Sequence, residues 1–195
     1  MASNDSEHPG DVIPSGIKIL VAGGFGAGKT TLVASVSEIE PLSTEEVMTE
    51  ASVGVDDLQG VEQKQTTTVA LDFGRITISD ELMLYLFGTP GQQRFWFMWE
   101  ELAEGALGAV VLADTRRLDT CFPAVDFFER RSVPFVVAVN CFDEAHRYNE
   151  REVAEALTLD ERVPVLLCDA RSRASAKGVL EALVRHVSAT AAAPA

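Results

Sequence analysis

The chain has 195 residues, of which 47% are hydrophobic and 24% charged, and its formal net charge is −14 at pH 7. This length and composition are typical of a single globular domain with a substantial core. The excess of acidic residues argues against binding to nucleic acid or to an anionic membrane by charge alone, because both need a basic surface. Three dispersed cysteines, Cys121, Cys141 and Cys168, are too few for a disulfide framework or a zinc site.

The two ends of the sequence differ in composition from its middle. Residues 1–15 are polar, contain proline and glycine, and lack the apolar core of a signal peptide, so we predict a disordered leader. Residues 189–195 consist mainly of alanine and predict a flexible tail without a prenylation cysteine. The sequence has no run of 18 apolar residues, which removes a spanning helix. We therefore predict one folded domain over residues 16–188 and a cytoplasmic location, with membrane association only through partners.

Residues 17–30 combine a strand pattern with a phosphate-binding motif. The apolar run at 17–22 leads directly into GGFGAGKT at 23–30, which matches G-x-x-x-x-G-K-[ST]. Glycine permits the backbone turns that point successive N–H groups at a phosphate, and the helix that follows adds partial positive charge. Lys29 would supply a charge for the β and γ phosphates, and Thr30 a hydroxyl ligand for Mg²⁺. The alternative is a glycine-rich turn without a ligand. The predicted nucleotide contacts in this stretch are Gly23, Gly26, Ala27, Gly28, Lys29, Thr30 and Thr31.

The rest of the chain alternates predicted strands with predicted helices. The strands are expected at residues 17–22, 82–87, 107–113, 135–139 and 163–168. Residues 66–78 also alternate, with a second short strand that can begin at Ile76 after Gly74 and Arg75. The helices are expected at residues 29–37, 122–131, 150–157 and 174–188. Residues 39–65 are polar and acidic without a convincing strand or long helix, so we predict a functional or disordered loop. This alternation predicts an α/β fold with a mostly parallel sheet and helices on both faces.

Three further motifs follow predicted strands. They are GTPGQQRF at residues 88–95, NCFD at 140–143 and CDAR at 168–171. Ligands of open α/β sheets bind at the carboxyl ends of the strands, so all three motifs should face the same crevice as residues 23–30. Convergence of four motifs at one edge is harder to obtain by chance than any single motif.

The order and spacing of these motifs resemble the small Ras-like GTPases, and within them the bacterial MglA-like branch, over residues 17–188. Residues 88–92 resemble the second switch of that family, and Thr68 resembles its switch-one threonine. The resemblance implies a P-loop NTPase fold with a six-stranded sheet that has one antiparallel strand near its edge. It also implies slow hydrolysis of GTP, with Lys29 and Gln92 as catalytic residues.

The resemblance implies a role for each switch residue. Thr68 would join Thr30 as an Mg²⁺ ligand and would contact the γ-phosphate, so that loss of this phosphate releases the loop. Gly91 would donate its N–H to the same phosphate, and the absence of a side chain permits that close approach. Gln92 would orient the attacking water. The resemblance further implies a roadblock-type regulatory partner that acts on these switches.

A second part of the resemblance concerns the base. Asn140 and Asp143 resemble the base-binding Asn-Lys-x-Asp motif, and Ala170 resembles the backbone donor that follows the final strand. Asp143 would accept hydrogen bonds from N1–H and N2–H of guanine, which adenine does not offer in that arrangement. The alternative for Asp143 is a loop or capping carboxylate, because Asn and Asp are common at such turns.

The chain departs from the family pattern at three positions. Gly88 stands where the family has an aspartate that holds Mg²⁺ through water, so the metal would have a weaker shell or use another carboxylate. Cys141 replaces the lysine that stacks along the base, which leaves ATP open as an alternative to GTP. Asp169 replaces a serine in the final motif.

An arginine beside Thr68 is also absent, and Arg75 and Arg94 are only weak substitutes for it. Hydrolysis by the chain alone should be slow, because an added arginine contributes about 10³ to 10⁵ in rate. A nucleotide-binding scaffold with little or no hydrolysis is therefore the second hypothesis. An ATP-using P-loop enzyme is the third.

Residues 95–99, FWFMW, directly follow the second switch. In a helix, residues 95, 98 and 99 would share one face, so the run cannot all be buried under one stripe. We predict that part of it packs in the core and part forms a partner surface. The three histidines are dispersed, and a shared metal site for them is not expected.

Overall fold

The computed structural model describes residues 14–40, 42–48, 67–91, 97–143 and 145–192, with only the backbone described at 42–48 and 67–70. Seven strands of these residues form one sheet: β1 Ser15–Gly23, β2 Leu42–Met48, β3 Thr67–Ser79, β4 Leu82–Gly88, β5 Ala106–Ala113, β6 Phe135–Asn140 and β7 Val165–Cys168. The α-helices are α1 Lys29–Val36, α2 Met98–Ala103, α3 Phe122–Arg130, α4 Glu150–Ala156 and α5 Arg173–Ala192. A 3₁₀ helix at Thr115–Cys121 leads into α3.

The strands lie in the order β2-β3-β4-β1-β5-β6-β7. β1 is central and pairs in parallel with β4 and β5, whereas β3 runs antiparallel to both of its neighbours. The predicted α/β class, with a mostly parallel sheet and one antiparallel strand near the edge, is therefore confirmed. The predicted strands are present, but β3 runs unbroken through Gly74 and Arg75, so no separate strand begins at Ile76.

β2 is the seventh strand, and it lies in the segment that the sequence analysis assigned to a loop. The prediction that residues 39–65 contain no strand is wrong for Leu42–Met48, whose sequence LSTEEVM lacks a continuous apolar run. β2 is the edge strand of the sheet and pairs with β3 alone, from Leu42↔Phe73 to Met48↔Thr67. Edge strands tolerate charged residues, so hydrophobic patterning is a weak signal for them.

The first strand begins before, and the last helix ends after, the boundaries predicted for the folded domain. β1 already begins at Ser15, while residues 1–13 of the expected leader lie outside the described residues. α5 continues to Ala192, four residues beyond the expected end at Ser188 and into the segment assigned to a tail. Alanine has the highest helix propensity, which accounts for this extension. Among the described helices, none combines the length and hydropathy needed to cross a membrane.

Two hydrophobic clusters lie on opposite faces of the sheet. Alternate residues of β1 point to opposite faces, so that Ile19 belongs to one cluster and Leu20 to the other, both fully buried. α1 and α5 cover the first face, and α2, α3 and α4 cover the second. β1 is thus enclosed on both sides, and its carboxyl end holds the phosphate-binding motif on a rigid support.

Strand register places the carboxyl ends of the parallel strands at one edge. Val21 of β1 lies beside Gly88 at the end of β4, and Asn140 at the end of β6 lies beside Cys168 at the end of β7. The four motifs predicted to converge begin at this edge.

Candidate functional site

The loop between β1 and α1 has a backbone that requires glycine. Gly23, Gly26 and Gly28 have φ values of +138°, +76° and +104°, in the region that residues with side chains rarely adopt. A Cβ on Gly23 would lie 2.5 Å from the carbonyl oxygen of Leu112, and one on Gly28 would lie 2.5 Å from Asn140 Nδ2. The loop is therefore packed against its neighbours, and its shape is set before any ligand binds.

Lys29, the first residue of α1, folds back over this loop. Its Nζ donates to the carbonyl oxygens of Gly23 at 2.9 Å and Gly24 at 2.8 Å. Burial lowers the pKa of Lys29 to about 8, and the negative charge of Asp72 partly opposes this shift. The ammonium group thus lies inside the loop, with a charge that an added phosphate would stabilise.

The buried side chain of Asn140 joins three segments. Its Nδ2 donates to the carbonyl oxygen of Ala27 at 2.9 Å, and its Oδ1 accepts from the N–H of Ala170 at 3.1 Å. Asn140 is 6% exposed, so these bonds are shielded from water. The glycine-rich loop, the end of β6 and the turn after β7 are thereby held as one unit.

Asp143 lies at the rim of the same crevice and is engaged by an arginine. Arg171 Nη1 donates to Asp143 Oδ2 at 2.7 Å, and Arg171 Nη2 donates to Asp143 Oδ1 at 2.9 Å. These hydrogen bonds hold the pKa of Asp143 below its usual range. The carboxylate is therefore ionised at neutral pH. The sequence analysis assigned no role to Arg171.

Thr30 contacts a carboxylate that the sequence analysis did not select. The Thr30 hydroxyl donates to Asp72 Oδ2 at 2.7 Å. Asp72 is buried in β3, directly across from Gly88 of β4. A Cβ on Gly88 would lie 2.9 Å from Asp72 Cβ and 3.0 Å from Asp72 Oδ2. The side chain of Asp72 thus fills the space beside Gly88, and it supplies the carboxylate that Gly88 lacks.

A hydroxyl and a carboxylate oxygen are donors that suit Mg²⁺, which keeps several waters and binds few protein ligands. Among the described residues, no group of three or more His, Cys, Asp or Glu side chains could hold a metal. The donor chemistry of Thr30 and Asp72, one hydroxyl and one carboxylate, would suit Mg²⁺ that takes its remaining ligands from water and a nucleotide.

Thr68 is not brought to this pair. Its backbone lies in β3 and pairs with Val47 of β2, four residues before Asp72. At the usual rise per residue, Thr68 lies about 13 Å along the strand from Asp72. The contact with Thr30 is made by Asp72, and the role of Thr68 stays a prediction.

Gly91 packs directly on the phosphate-binding loop. A Cβ at Gly91 would lie 2.7 Å from Lys29 Nζ and 2.9 Å from the backbone nitrogen of Phe25. Only glycine permits this approach. The contact between Gly91 and a phosphate stays a prediction. Gln92, the predicted water-orienting residue, lies outside the described residues.

The segment after the second switch is anchored through Trp99. Its Nε1 donates to the carbonyl oxygen of Pro90 at 3.1 Å, and its ring stacks on Phe128 of α3. Trp99 is 3% exposed, whereas Phe97 is 60% exposed. The expected division of the aromatic run between core and surface holds for these two residues, and Phe95 and Trp96 lie outside the described part of the chain.

Arg117, in the 3₁₀ helix that follows β5, contacts the phosphate-binding loop. Arg117 Nη2 donates to the carbonyl oxygen of Phe25 at 2.8 Å. Its neighbour Arg116 pairs with the buried Asp114 and lies over the ring of Phe142. The contact of Arg117 could not be predicted from the sequence, because it depends on how the 3₁₀ helix lies against the loop.

Comparison with known proteins identifies the family of this chain. A family model described as conserved hypothetical ATP binding protein matches residues 21–190. The chain belongs to this family. An uncharacterized protein of Methanocaldococcus jannaschii is 31% identical over 129 residues, 65% of this chain and 71% of that protein. The Ras-related protein RABC2a of Arabidopsis thaliana is 26% identical over 182 residues, 87% of this chain and 77% of that protein.

Solved structures with the same fold are G domains. The G domain of the T. maritima FeoB iron transporter has a TM-score of 0.60 at 17% identity, covering 88% of this chain and 99% of that domain. The FeoB G domain of Methanococcus jannaschii has a TM-score of 0.58 at 13% identity, with 89% and 99% covered. This family member therefore has a P-loop NTPase fold similar to that of small GTPases. The MglA-like branch and the roadblock-type partner stay predictions.

Proposed function

We propose that this chain binds a guanine nucleotide together with Mg²⁺, hydrolyses GTP slowly, and acts as a switch that controls a partner protein. The observation that carries the proposal is the buried link through Asn140, which joins the loop at Ala27 to the turn at Ala170. Asp143 follows Asn140 by three residues, so we infer that the phosphate-binding loop and the carboxylate of Asp143 border one nucleotide site. Phosphate and base of one nucleotide can then be bound together.

The groups around the crevice suit a guanine nucleoside triphosphate. The N–H groups of residues 23–30 and Lys29 would hold the phosphates, and the ionised Asp143 would accept from N1–H and N2–H of guanine. Thr30 and Asp72 would hold Mg²⁺. Thr68, four residues before Asp72 on β3, would become a further ligand only if its segment moved toward this pair. The metal would supply charge compensation for the β and γ phosphates.

Hydrolysis would depend on few groups of this chain. Gln92 would orient the attacking water, and Lys29 would stabilise charge on the phosphates. Arg117 Nη2 donates to the carbonyl oxygen of Phe25 and lies 3.6 Å from Asp114 Oδ2, so both of its partners belong to the protein. Intrinsic turnover is therefore expected to be slow, and an arginine from a partner protein would raise it.

Base preference tests the first part of this proposal. We expect GDP to bind more tightly than ADP to the purified protein in titration calorimetry with Mg²⁺. Asp143→Asn should weaken GDP binding by about tenfold to a hundredfold, the range for a good bidentate base contact, and leave ADP binding unchanged. Equal binding of GDP and ADP, both insensitive to Asp143→Asn, would favour the ATP-binding function that the family description suggests.

Turnover tests the second part. In a single-turnover assay with γ-labelled GTP and Mg²⁺, we expect slow phosphate release that Gln92→Ala reduces further. Glu161→Ala, an exposed change before β7, serves as the matched control. If no phosphate is released, alone or with a candidate partner, the chain is a nucleotide-binding scaffold.

A further inference from the structure

Arginine side chains in this chain repeatedly fold onto an aspartate two residues earlier. Arg162 uses Nε and Nη2 to bind both oxygens of Asp160, before β7. Arg171 binds both oxygens of Asp169 with the same two nitrogens, after β7. Arg171 differs because its other edge, formed by Nη1 and Nη2, also binds both oxygens of Asp143.

The contact between Arg171 and Asp143 has the pattern of a guanine contact. Guanine offers two parallel donors, N1–H and N2–H, to the two oxygens of a carboxylate. Arg171 offers two parallel donors, Nη1–H and Nη2–H, at 2.7 and 2.9 Å from the same oxygens. The two oxygens form one forked edge, so a guanidinium and a guanine base cannot both occupy it.

We propose that Arg171 competes with the guanine base for Asp143 and thereby lowers the affinity of the site for guanine nucleotides. This inference rests on the proposed function, in which Asp143 binds guanine. Arg171 does not affect the binding of a nucleotide whose base does not contact Asp143. Arg171 therefore narrows the difference in affinity between guanine and adenine nucleotides.

Asp169 allows a guanine base to displace Arg171 from Asp143 at low cost in free energy. When a base takes the forked edge of Asp143, Arg171 keeps its two hydrogen bonds to Asp169, so its charge stays paired. The side chains of Arg171 and Asp143 are 57% and 74% exposed, so water also replaces part of the lost contact. The cost of displacing Arg171 is therefore that of an exposed ion pair, which is small.

Titration calorimetry of Arg171→Ala with GDP and ADP tests the competition. We expect GDP to bind about two- to fivefold more tightly than to the wild-type protein, the range for loss of an exposed ion pair. ADP binding should not change. The ratio of the GDP affinity of Arg171→Ala to that of the wild type should fall toward one as NaCl is raised. Salt already weakens the ion pair between Arg171 and Asp143 in the wild type.

Arg162→Ala is the matched control, since it removes the same charge and the same local aspartate contact at the opposite edge of the sheet. It should leave both affinities unchanged. GDP binding to Arg171→Ala that is equal to or weaker than wild type overturns the competition. Tightening of GDP and ADP by the same factor overturns it as well, because the effect is then one of net charge.

The proposed function fails in a different way from this inference. If wild-type protein binds GDP and ADP equally and Asp143→Asn changes neither affinity, then Asp143 does not bind the base, and the competition is excluded with it. If Asp143→Asn selectively weakens GDP binding while Arg171→Ala does not strengthen it, only the competition is excluded.

Discussion

Lys29→Ala should abolish nucleotide binding, with a loss of affinity of about 100-fold or more in titration with a fluorescent guanine nucleotide. Lys29 provides a positive charge inside the phosphate-binding loop, and hydrogen bonds between charged groups are among the strongest in proteins. The variant also removes the bonds from Nζ to the carbonyl oxygens of Gly23 and Gly24. The variant loop therefore lacks its positive charge and two of its hydrogen bonds.

Lys18→Ala is the matched control, because Lys18 lies on β1 and its Nζ donates to the carbonyl oxygen of Glu104 outside the crevice. It should bind nucleotide as the wild type does. Circular dichroism should show both variants folded. Tight binding by folded Lys29→Ala would refute the assignment of residues 23–30 as a P-loop.

The pH dependence gives a second readout of Lys29. Its pKa is lowered to about 8, so the free protein loses this charge as the pH rises through 8. A phosphate stabilises the charged form and raises the pKa again, so binding near pH 8 should take up a proton and weaken as the pH rises to 9. Calorimetry in two buffers of different ionisation enthalpy measures this uptake. The uptake should be missing in any residual binding by Lys29→Ala.

The phosphate-binding loop could be predicted from sequence because its signals are local. The apolar run of β1, the glycines and Lys29 are contiguous in the sequence. Glycine is the residue that allows the positive φ values found in this loop. The convergence of motifs at one edge could also be predicted, since it follows from parallel strands. The positions of Asn140 and Ala170 could be predicted from the ends of β6 and β7 alone, and hydrophobic runs mark those strand ends well.

Asp72 and Arg171 could not be assigned in the same way, because their roles depend on contacts between distant segments. Asp72 meets Gly88 through the register of β3 with β4, and a shift of one residue would turn its side chain to the other face. Arg171 meets Asp143 only because the turns after β6 and β7 lie side by side. Such registers are not encoded in any one stretch of sequence. β2 was missed for a related reason, since an edge strand is held by its backbone.

The second large effect concerns the carboxylate beside Thr30. Asp72→Asn should weaken the Mg²⁺ dependence of nucleotide binding, with an apparent Mg²⁺ affinity lowered by about 10- to 100-fold. Asparagine keeps the shape and can still accept from the Thr30 hydroxyl, so the change isolates the charge. Nucleotide binding in EDTA should not weaken, because the negative charge that Asp72→Asn removes would repel the phosphates when no metal is present. Asp80→Asn, an exposed change in the turn between β3 and β4, is the matched control.

Moving the carboxylate from position 72 on β3 to position 88 on β4 tests whether Asp72 binds the metal or only packs against its neighbours. Gly88→Asp alone should destabilise the protein, because its Cβ would lie 2.9 Å from Asp72 Cβ and would place two carboxylates together. Adding Asp72→Gly removes that Cβ and returns a single carboxylate to the same space. If Asp72 serves the metal, the double variant should recover part of the Mg²⁺ dependence that Asp72→Gly alone loses. A double variant that folds, as judged by thermal unfolding, yet recovers none would show that Asp72 holds Thr30 in place and does not serve Mg²⁺.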